Sequence, residues 1–139
     1  MQYVEAFQKL GYQLANARQD WSAQNEYGVC VTIWTKELAK MAGKSPLYFD
    51  LWELHPDGGE WEKKAGHKKR TRHIAHAVEK FDGKVDVIFV SGEPGESYKD
   101  ADPWLIKGQH LNGSRPGCWK IIKFCAETGY FRAEVQTLA

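Results

Sequence analysis

Apolar residues recur at helical spacing in two segments of the chain, residues 3–10 and 71–81. Gly11 follows the first segment and Gly83 the second, and glycine commonly ends a helix. Thr71 stands where a hydroxyl can cap the second helix at its N-terminus. The pattern therefore predicts two helices, of which residues 71–81 form the clearer one.

Six further segments have the pattern of strands. Residues 29–34 alternate with a period of two between two partly apolar faces, which is typical of a strand covered on both sides. The other predicted strands are residues 47–54, 85–90, 104–111, 118–125 and 130–138.

The segments between these elements are mostly polar. Residues 16–25 show no period and are predicted to be a loop, and residues 36–45 have room for a turn of helix. Residues 91–103 form an acidic Gly/Pro loop with few apolar residues, while residues 126–129 form a hairpin turn. The order of elements predicts an α+β domain on a strongly bent antiparallel or mixed sheet with two helices, a partly closed barrel being one form of it.

Chain length and composition limit the class of protein. With 139 residues and 42% apolar content, the chain is predicted to form a single domain, 1–139, with one core. The start has no signal-peptide pattern, and no segment approaches the ~20 apolar residues of a membrane helix, so we expect a cytoplasmic protein. The chain has three cysteines, and no two of them have Cys-x-x-Cys spacing. We predict that all three are buried thiols, namely Cys30, Cys118 and Cys125.

The charge is concentrated in one segment, which we call the basic run, residues 63–73. It holds six Lys/Arg and two His without an acid, and removing those six from the chain's 19 cations leaves 13 against 18 acids. The basic run is predicted to be a loop that continues onto the exposed face of helix 71–81. Like charges four apart destabilise a helix by ~0.2–0.5 kcal/mol per pair, and cations at its start oppose the helix dipole. A bound anion would reverse both effects, and a nucleic-acid backbone is the commonest such anion. A solvated loop that serves only solubility is the other interpretation of the basic run.

Aromatic residues add a second signal, because six tryptophans are many for a core of this size. Trp21 falls in the aperiodic loop with Ser22 and Asn25, where a ring could stack on a base and the polar side chains could read its edge. A plug at the end of the sheet is the other interpretation of Trp21. The candidate nucleic-acid-binding residues are Arg18, Trp21, Ser22, Asn25, Trp61, Lys63, Lys64, His67, Lys68, Lys69, Arg70, Arg72, His73 and His76.

Several short motifs, spread over most of the chain, resemble a little-characterised bacterial domain. They are Leu10-Gly11-Tyr12-x-Leu14-x-Asn16-x-Arg18, Trp21-Ser22-Ala23, Val29-x-Val31-Thr32-Ile33-Trp34, Arg72-His73 and Phe131-Arg132-Ala133-Glu134. That domain occurs alone or ahead of HNH-type nuclease modules in phage and mobile-element proteins. The resemblance implies nucleic-acid recognition in defence or counter-defence. At the level of fold, the chain also resembles base-recognition modules of the PUA, EVE and SRA type.

Enzymatic interpretations find less support. Asp57, Glu60, Glu62 and Lys64 imitate a metal-dependent nuclease signature, but only four residues separate its two parts, which normally lie on two strands of a hairpin. His67, His73 and His76 could hold a metal, although the neighbouring cations would repel it. No nucleotide-cofactor or hydrolase motif occurs.

The sequence therefore predicts a non-catalytic nucleic-acid-binding domain without metal or cofactor, in which modified bases are one class of target. Two alternatives remain open. One is a protein-interaction module that meets an acidic partner, and the other is a small metal-dependent nuclease.

Overall fold

The computed structural model describes residues 1–38, 47–94, 96, 98–104 and 118–136. In chain order the elements are α1 Tyr3–Lys9, β1 Ser22–Gln24, β2 Val29–Trp34, α2 Thr35–Leu38, β3 Tyr48–Asp50, α3 Leu51–Leu54, a 3₁₀ helix Glu60–Lys63, α4 Ala65–Lys80, β4 Lys84–Ser91, β5 Asp100–Pro103, β6 Cys118–Phe124 and β7 Phe131–Gln136.

The strands form one mixed sheet in the order β1-β2-β4-β6-β7-β3, with β5 paired to β4. The strand pair β2/β4 is parallel, and the other pairs are antiparallel. In the described part of the chain nothing joins β1 to β3, so the sheet is open. The prediction of an α+β domain on a mixed sheet is confirmed, whereas the barrel is not.

Both faces of the sheet are covered, as the alternation in residues 29–34 predicted. All six residues of β2 are buried. Val29, Val31 and Ile33 join the core on the face where α4 packs, and Cys30 and Trp34 join the core that contains α1. The two cores place β2 and β4 at the centre of the molecule.

Helix α4 begins earlier than the sequence pattern predicted. It starts at Ala65, six residues before the predicted start at 71, so most of the basic run is helix and not loop. Thr71 does not cap it, because the Thr71 hydroxyl lies inside the helix and donates to the His67 carbonyl oxygen at 2.9 Å. The apolar period had missed the first half of α4 because its buried positions there are Gly66, His67, Arg70 and His73.

Three other predictions need correction. The predicted loop 16–25 contains strand β1, and the loop 91–103 contains strand β5, whose Ala101 is 1% exposed. The predicted strand 47–54 ends at Asp50, whose carboxylate accepts from the Glu53 N–H at 3.0 Å and so caps α3.

The remaining predictions are confirmed in part. The strand 85–90 and the hairpin of β6 and β7 are present, and so is a turn of helix at Thr35–Leu38. Residues 39–45 of the segment 36–45 and residues 105–111 of the strand 104–111 lie outside the described residues, as does the Cys118 side chain. Cys30 is buried as predicted, but Cys125 is only partly so. Among the helices described, none combines the length and apolarity needed to cross a bilayer.

Candidate binding pocket

Helix α4 divides the basic run between surface and interior. Lys63, Lys68 and Arg72 are exposed, and Lys64 and Lys69 are half-buried, as is His76 beyond the end of the run. His67, Arg70 and His73 are buried. The basic run is therefore not one continuous surface, and the three buried members cannot contact a phosphate backbone as predicted.

Acids from other segments neutralise part of the surface charge. Lys69 Nζ lies 3.0 Å from the buried Asp20 carboxylate, Lys64 Nζ lies 3.3 Å from Glu96, and Lys63 pairs with Glu60 at 3.5 Å. Over the described ranges, Lys68 and Arg72 have no acidic partner within 4 Å. These two cations, with the exposed Arg18, remain available to a polyanion.

The residues of the predicted base-reading loop make contacts inside the fold. Trp21 is 5% exposed and packs edge-on against Trp34, with ring centroids 5.6 Å apart. Ser22 Oγ is buried and bonded to His73 Nδ1 at 2.7 Å. Asn25 closes the β1–β2 turn, since its Oδ1 accepts from the Tyr27 and Gly28 N–H groups and its Nδ2 donates to the Gly11 carbonyl. Ser22 and Asn25 are thus committed to internal bonds, and Trp21 has no ring face projecting from the surface.

Trp21 nevertheless lines a pocket, which we call the tryptophan pocket. The pocket has a volume of about 80 Å³ and is partly open to solvent. This volume is smaller than the ~300–1,000 Å³ of sites that enclose a drug-sized ligand, so the pocket suits a small group. Its walls combine three tryptophan rings with two apolar side chains and three ionisable ones, namely Trp21, Trp34, Trp61, Leu51, Pro94, Glu37, His55 and Arg70.

The fold explains why these residues meet. Trp34 ends β2 and Glu37 follows in α2, while Pro94 lies three residues beyond the end of β4. The tryptophan pocket therefore lies beyond the carboxyl ends of the one parallel pair of strands among the described strands. In open sheets with parallel strands, ligands bind at such ends. Helix α4 supplies Arg70 from the side.

Arg70 is the chemically distinctive residue of the tryptophan pocket. Its side chain is 3% exposed, and its guanidinium carbon lies 5.1 Å from the Trp21 ring centroid and 5.2 Å from that of Phe131. Burial lowers the pKa of Arg70 to about 10, partly offset by Glu37, so the group stays charged at neutral pH. In the described part of the chain, no carboxylate lies within 4 Å of it.

The Arg70 Nε–H is also buried, and no hydrogen-bond acceptor among the described residues reaches it. A buried donor without a partner costs ~1–3 kcal/mol, and more when it is charged. An acceptor on a ligand in the pocket is one partner that would satisfy this group.

Glu37 and His55 form a second polar group in the wall of the pocket. Glu37 Oε2 lies 2.7 Å from His55 Nε2, and Glu37 is 9% exposed. Trp61 packs against the His55 ring at a centroid distance of 5.0 Å. The tryptophan pocket thus offers flat apolar walls, a cationic donor and a carboxylate acceptor.

A second polar cluster lies where α4 packs against β1. Ser22 and His73 make the contact described above, and Asp20 and Lys69 make the adjacent ion pair. Burial lowers the pKa of His73 to about 4, helped by Lys69, so its imidazole is neutral at physiological pH. At 1% and 8% exposure, Ser22 and His73 are positioned to hold β1 against α4.

The other candidate chemistry is not assembled. Asp57 lies in a turn and Glu60 and Glu62 lie in the 3₁₀ helix, not on two strands of a hairpin. His67 and His73 make separate internal bonds, and His76 packs on Phe81 at a centroid distance of 5.4 Å. Within the described ranges, no three His, Cys, Asp or Glu side chains form a group that could hold a metal ion.

Sequence reasoning named Trp21, Trp61 and Arg70 of the pocket, although for other roles. It missed Trp34, Glu37, Leu51, His55 and Pro94. The one available signal was the buried strand 29–34 ending in a tryptophan, with a glutamate three residues later.

Scans against protein-family models, curated proteins and solved structures found no match to this chain. The chemistry of the tryptophan pocket is therefore the basis for assigning a function.

Proposed function

We propose that this chain is a nucleic-acid-binding domain that takes one unpaired base into the tryptophan pocket. The observation that carries the proposal is the buried Arg70 Nε–H, a charged donor in an aromatic pocket for which no described residue supplies an acceptor. The edges of nucleobases carry carbonyl oxygens and ring nitrogens that accept from arginine. Base stacking on aromatic side chains contributes ~1–3 kcal/mol per base.

The surface beside the tryptophan pocket is suited to the backbone of the same strand. An adjacent cleft shares Trp21 with the pocket and is lined by Arg18, Gln19, Trp21, Lys64, Ala65 and Gly66. It runs past the first residues of α4, whose dipole favours an anion at that end. Lys68 and Arg72 extend the positive charge along the helix. Phosphates on either side of the inserted base would lie against these cations.

We also propose which nucleic acids the chain recognises and in what role. A base must leave its stack to enter a walled pocket, which favours single strands, mismatches or bases that an enzyme has modified. The resemblance to a domain of phage and mobile-element proteins supports a role in recognising foreign or modified nucleic acid, and we expect this to take place in the cytoplasm. Recognising foreign or modified nucleic acid does not require the chain to cut it.

The test compares binding of short fluorescein-labelled oligonucleotides by anisotropy. The set comprises a single strand, a matched duplex, a duplex with one mismatch, and duplexes with methylated or hydroxymethylated cytosine. We expect the single strand or the mismatched or modified duplexes to bind more tightly than the matched duplex. If the matched duplex binds as well as all the others, base insertion is wrong.

Two variants locate the binding site. Trp61→Ala should weaken binding by ~1–3 kcal/mol, because it removes one wall of the pocket. Trp52→Ala is the matched control, since Trp52 is also half-buried and also packs on Tyr130 at 5.6 Å, but lies outside the pocket. Arg70→Met should weaken binding without changing the salt slope, because Arg70 meets the base and displaces no counterions.

The result that would reject the proposal is equally specific. If the parent binds none of the oligonucleotides at low salt, the acidic protein partner becomes the better interpretation of the exposed cations. If Trp52→Ala weakens binding as much as Trp61→Ala, the tryptophan pocket is not the site.

A further inference from the structure

His67 lies between the tryptophan pocket and the β6–β7 hairpin. Its Nε2 is 2.7 Å from the Thr128 carbonyl oxygen, and its Nδ1 is 3.1 Å from Arg70 Nη2. A carbonyl oxygen only accepts, so Nε2 must carry the hydrogen. A guanidinium only donates, so Nδ1 must present its lone pair. The two contacts together require the neutral imidazole protonated at Nε2.

The surroundings fix this ring in place. His67 is 3% exposed, and the Trp61 ring meets it edge-on with centroids 4.7 Å apart. Gly129 in the hairpin has φ +80°, and a Cβ there would lie 2.6 Å from His67 Nε2 and 2.2 Å from Thr71 Oγ1. Only a glycine allows the hairpin to approach α4 closely enough for the Thr128 carbonyl to reach the imidazole.

Arg70 depends on this ring for its orientation. The bond from Nη2 to His67 Nδ1 is the one hydrogen bond that the guanidinium makes among the described residues. It fixes the rotation of a planar group whose Nε–H has no acceptor within the described ranges. Without His67 as acceptor, the guanidinium has two aromatic faces to lie on but no fixed direction for its donors.

We propose that His67 is a positioning residue which aims Arg70 into the tryptophan pocket, and that protonation of His67 releases Arg70 so that the pocket loses its ligand in acid. The ligand part of this inference rests on the proposed function. An imidazolium would turn Nδ1 into a donor facing the Arg70 donors, with two cations in contact. Arg70 would then have to move away.

Burial and the charges around His67 set the pH range in which protonation of His67 releases Arg70. Burial lowers the pKa of His67, the bond to Thr128 raises it, Arg70 lowers it and Glu62 raises it, with a net lowering from the ordinary value of 6.5. Lys68 on α4 and Glu127 on the hairpin line the cleft over the same ring. The imidazole is therefore neutral at pH 7, and binding should be lost as the pH falls below 6.5 through the lowered pKa of His67.

The binding arm of the experiment uses the fluorescein-labelled single strand across a pH series. The parent should lose at least tenfold in affinity in acid while still folded by circular dichroism. His67→Leu, which has neither donor nor acceptor, should bind at least tenfold more weakly than the parent at neutral pH. His67→Gln, whose amide can donate to Thr128 and accept from Arg70 without titrating, should recover most of that loss and bind equally at both pH values. His76→Gln is the matched control and should keep the acid loss of the parent.

A second arm needs no ligand. In ¹⁵N-edited NMR spectra, His67 should show the tautomer protonated at Nε2, and the Arg70 Nε–H resonance should shift with the titration of His67. His67→Gln should abolish that shift, and His76→Gln should not. A shift without oligonucleotide binding would reject the proposed function but retain the positioning role. An Arg70 resonance indifferent to His67, or His67→Leu binding like the parent, would reject the positioning role itself.

Discussion

At the scale of single residues, Arg70 is unusual because it is charged and buried, and the described part of the chain satisfies only some of its donors. Buried ion pairs can often be replaced by apolar residues without loss of stability. Arg70 lacks even a paired carboxylate among the described residues, so packing between Trp21 and Phe131 and one bond to His67 are its support there. That support keeps the guanidinium in place but provides no acceptor for the Nε–H among the described residues.

Gly66 sets how closely α4 approaches the tryptophan pocket. A Cβ at this position would lie 2.5 Å from the Gln19 carbonyl oxygen and 2.6 Å from two Trp21 ring carbons. Glycine within a helix normally costs ~1 kcal/mol relative to alanine. Replacing a helical glycine by alanine therefore ordinarily stabilises a protein. Gly66→Ala should instead lower the free energy of unfolding by ~1–3 kcal/mol, because the helix must move away from a backbone carbonyl.

Urea unfolding measures this effect, and oligonucleotide anisotropy should show weaker binding at the same time, since Trp21 lines the pocket. Ala75→Gly on the same helix provides the ordinary propensity cost for comparison. A Gly66→Ala variant as stable as the parent would show that the helix does not depend on this close approach.

At the scale of elements, prediction from sequence depended on whether buried positions were apolar. Strand β2 and the β6–β7 hairpin were predicted because alternation and a glycine turn are local signals. The first half of α4 was missed because His67, Arg70 and His73 occupy its buried face. Strand β1 was missed because three residues carry no period, and its pairing with Val29–Val31 in β2 defines it.

The exposed face of α4 provides the prediction at this scale. Lys68 and Arg72 lie one turn apart, so Lys68→Gln with Arg72→Gln should raise the free energy of unfolding by a few tenths of a kcal/mol, up to ~1. If both side chains bind phosphates in the parent, the slope of log K against log salt should flatten by ~0.7–0.9 for each of the two cations removed.

Lys80→Gln is the matched control, because Lys80 is an exposed cation at the other end of the same helix, where it favours the dipole. It should leave the salt slope unchanged and should not raise stability. An unchanged slope in the double variant would mean that phosphates bind elsewhere, for example at the cleft of Arg18 and Lys64.

At the scale of the whole molecule, the pocket depends on segments that are distant in sequence. Trp34 and Pro94 come from the ends of two central strands, Trp21 precedes the edge strand β1, and α4 connects them through Arg70. No local pattern in the sequence specifies that meeting, which is why the pocket could be described only from the fold. The same packing buries His67 and His73 between α4 and its neighbours, so protonation should act on the whole fold.

His73 gives the clearest dependence of stability on pH. Its pKa is lowered to about 4, first by burial and then by Lys69, Arg72 and His76, while Asp20 opposes the shift. In the unfolded chain the pKa returns to about 6.5, so the unfolded state takes up the proton first as pH falls. The free energy of unfolding should therefore decrease between pH 6.5 and 4, by up to about 3 kcal/mol from His73.

Urea unfolding at a series of pH values, read by tryptophan fluorescence, measures this decrease. His73→Asn keeps a polar atom towards Ser22 without titrating, so its stability should fall less than that of the parent over the same range. Asp86 acts in the opposite direction. Burial raises its pKa, so as the pH falls the folded state takes up this proton before the unfolded state does. If the free energy of unfolding falls equally for the parent and His73→Asn between pH 6.5 and 4, protonation of His73 is not what weakens the contact of α4 with β1.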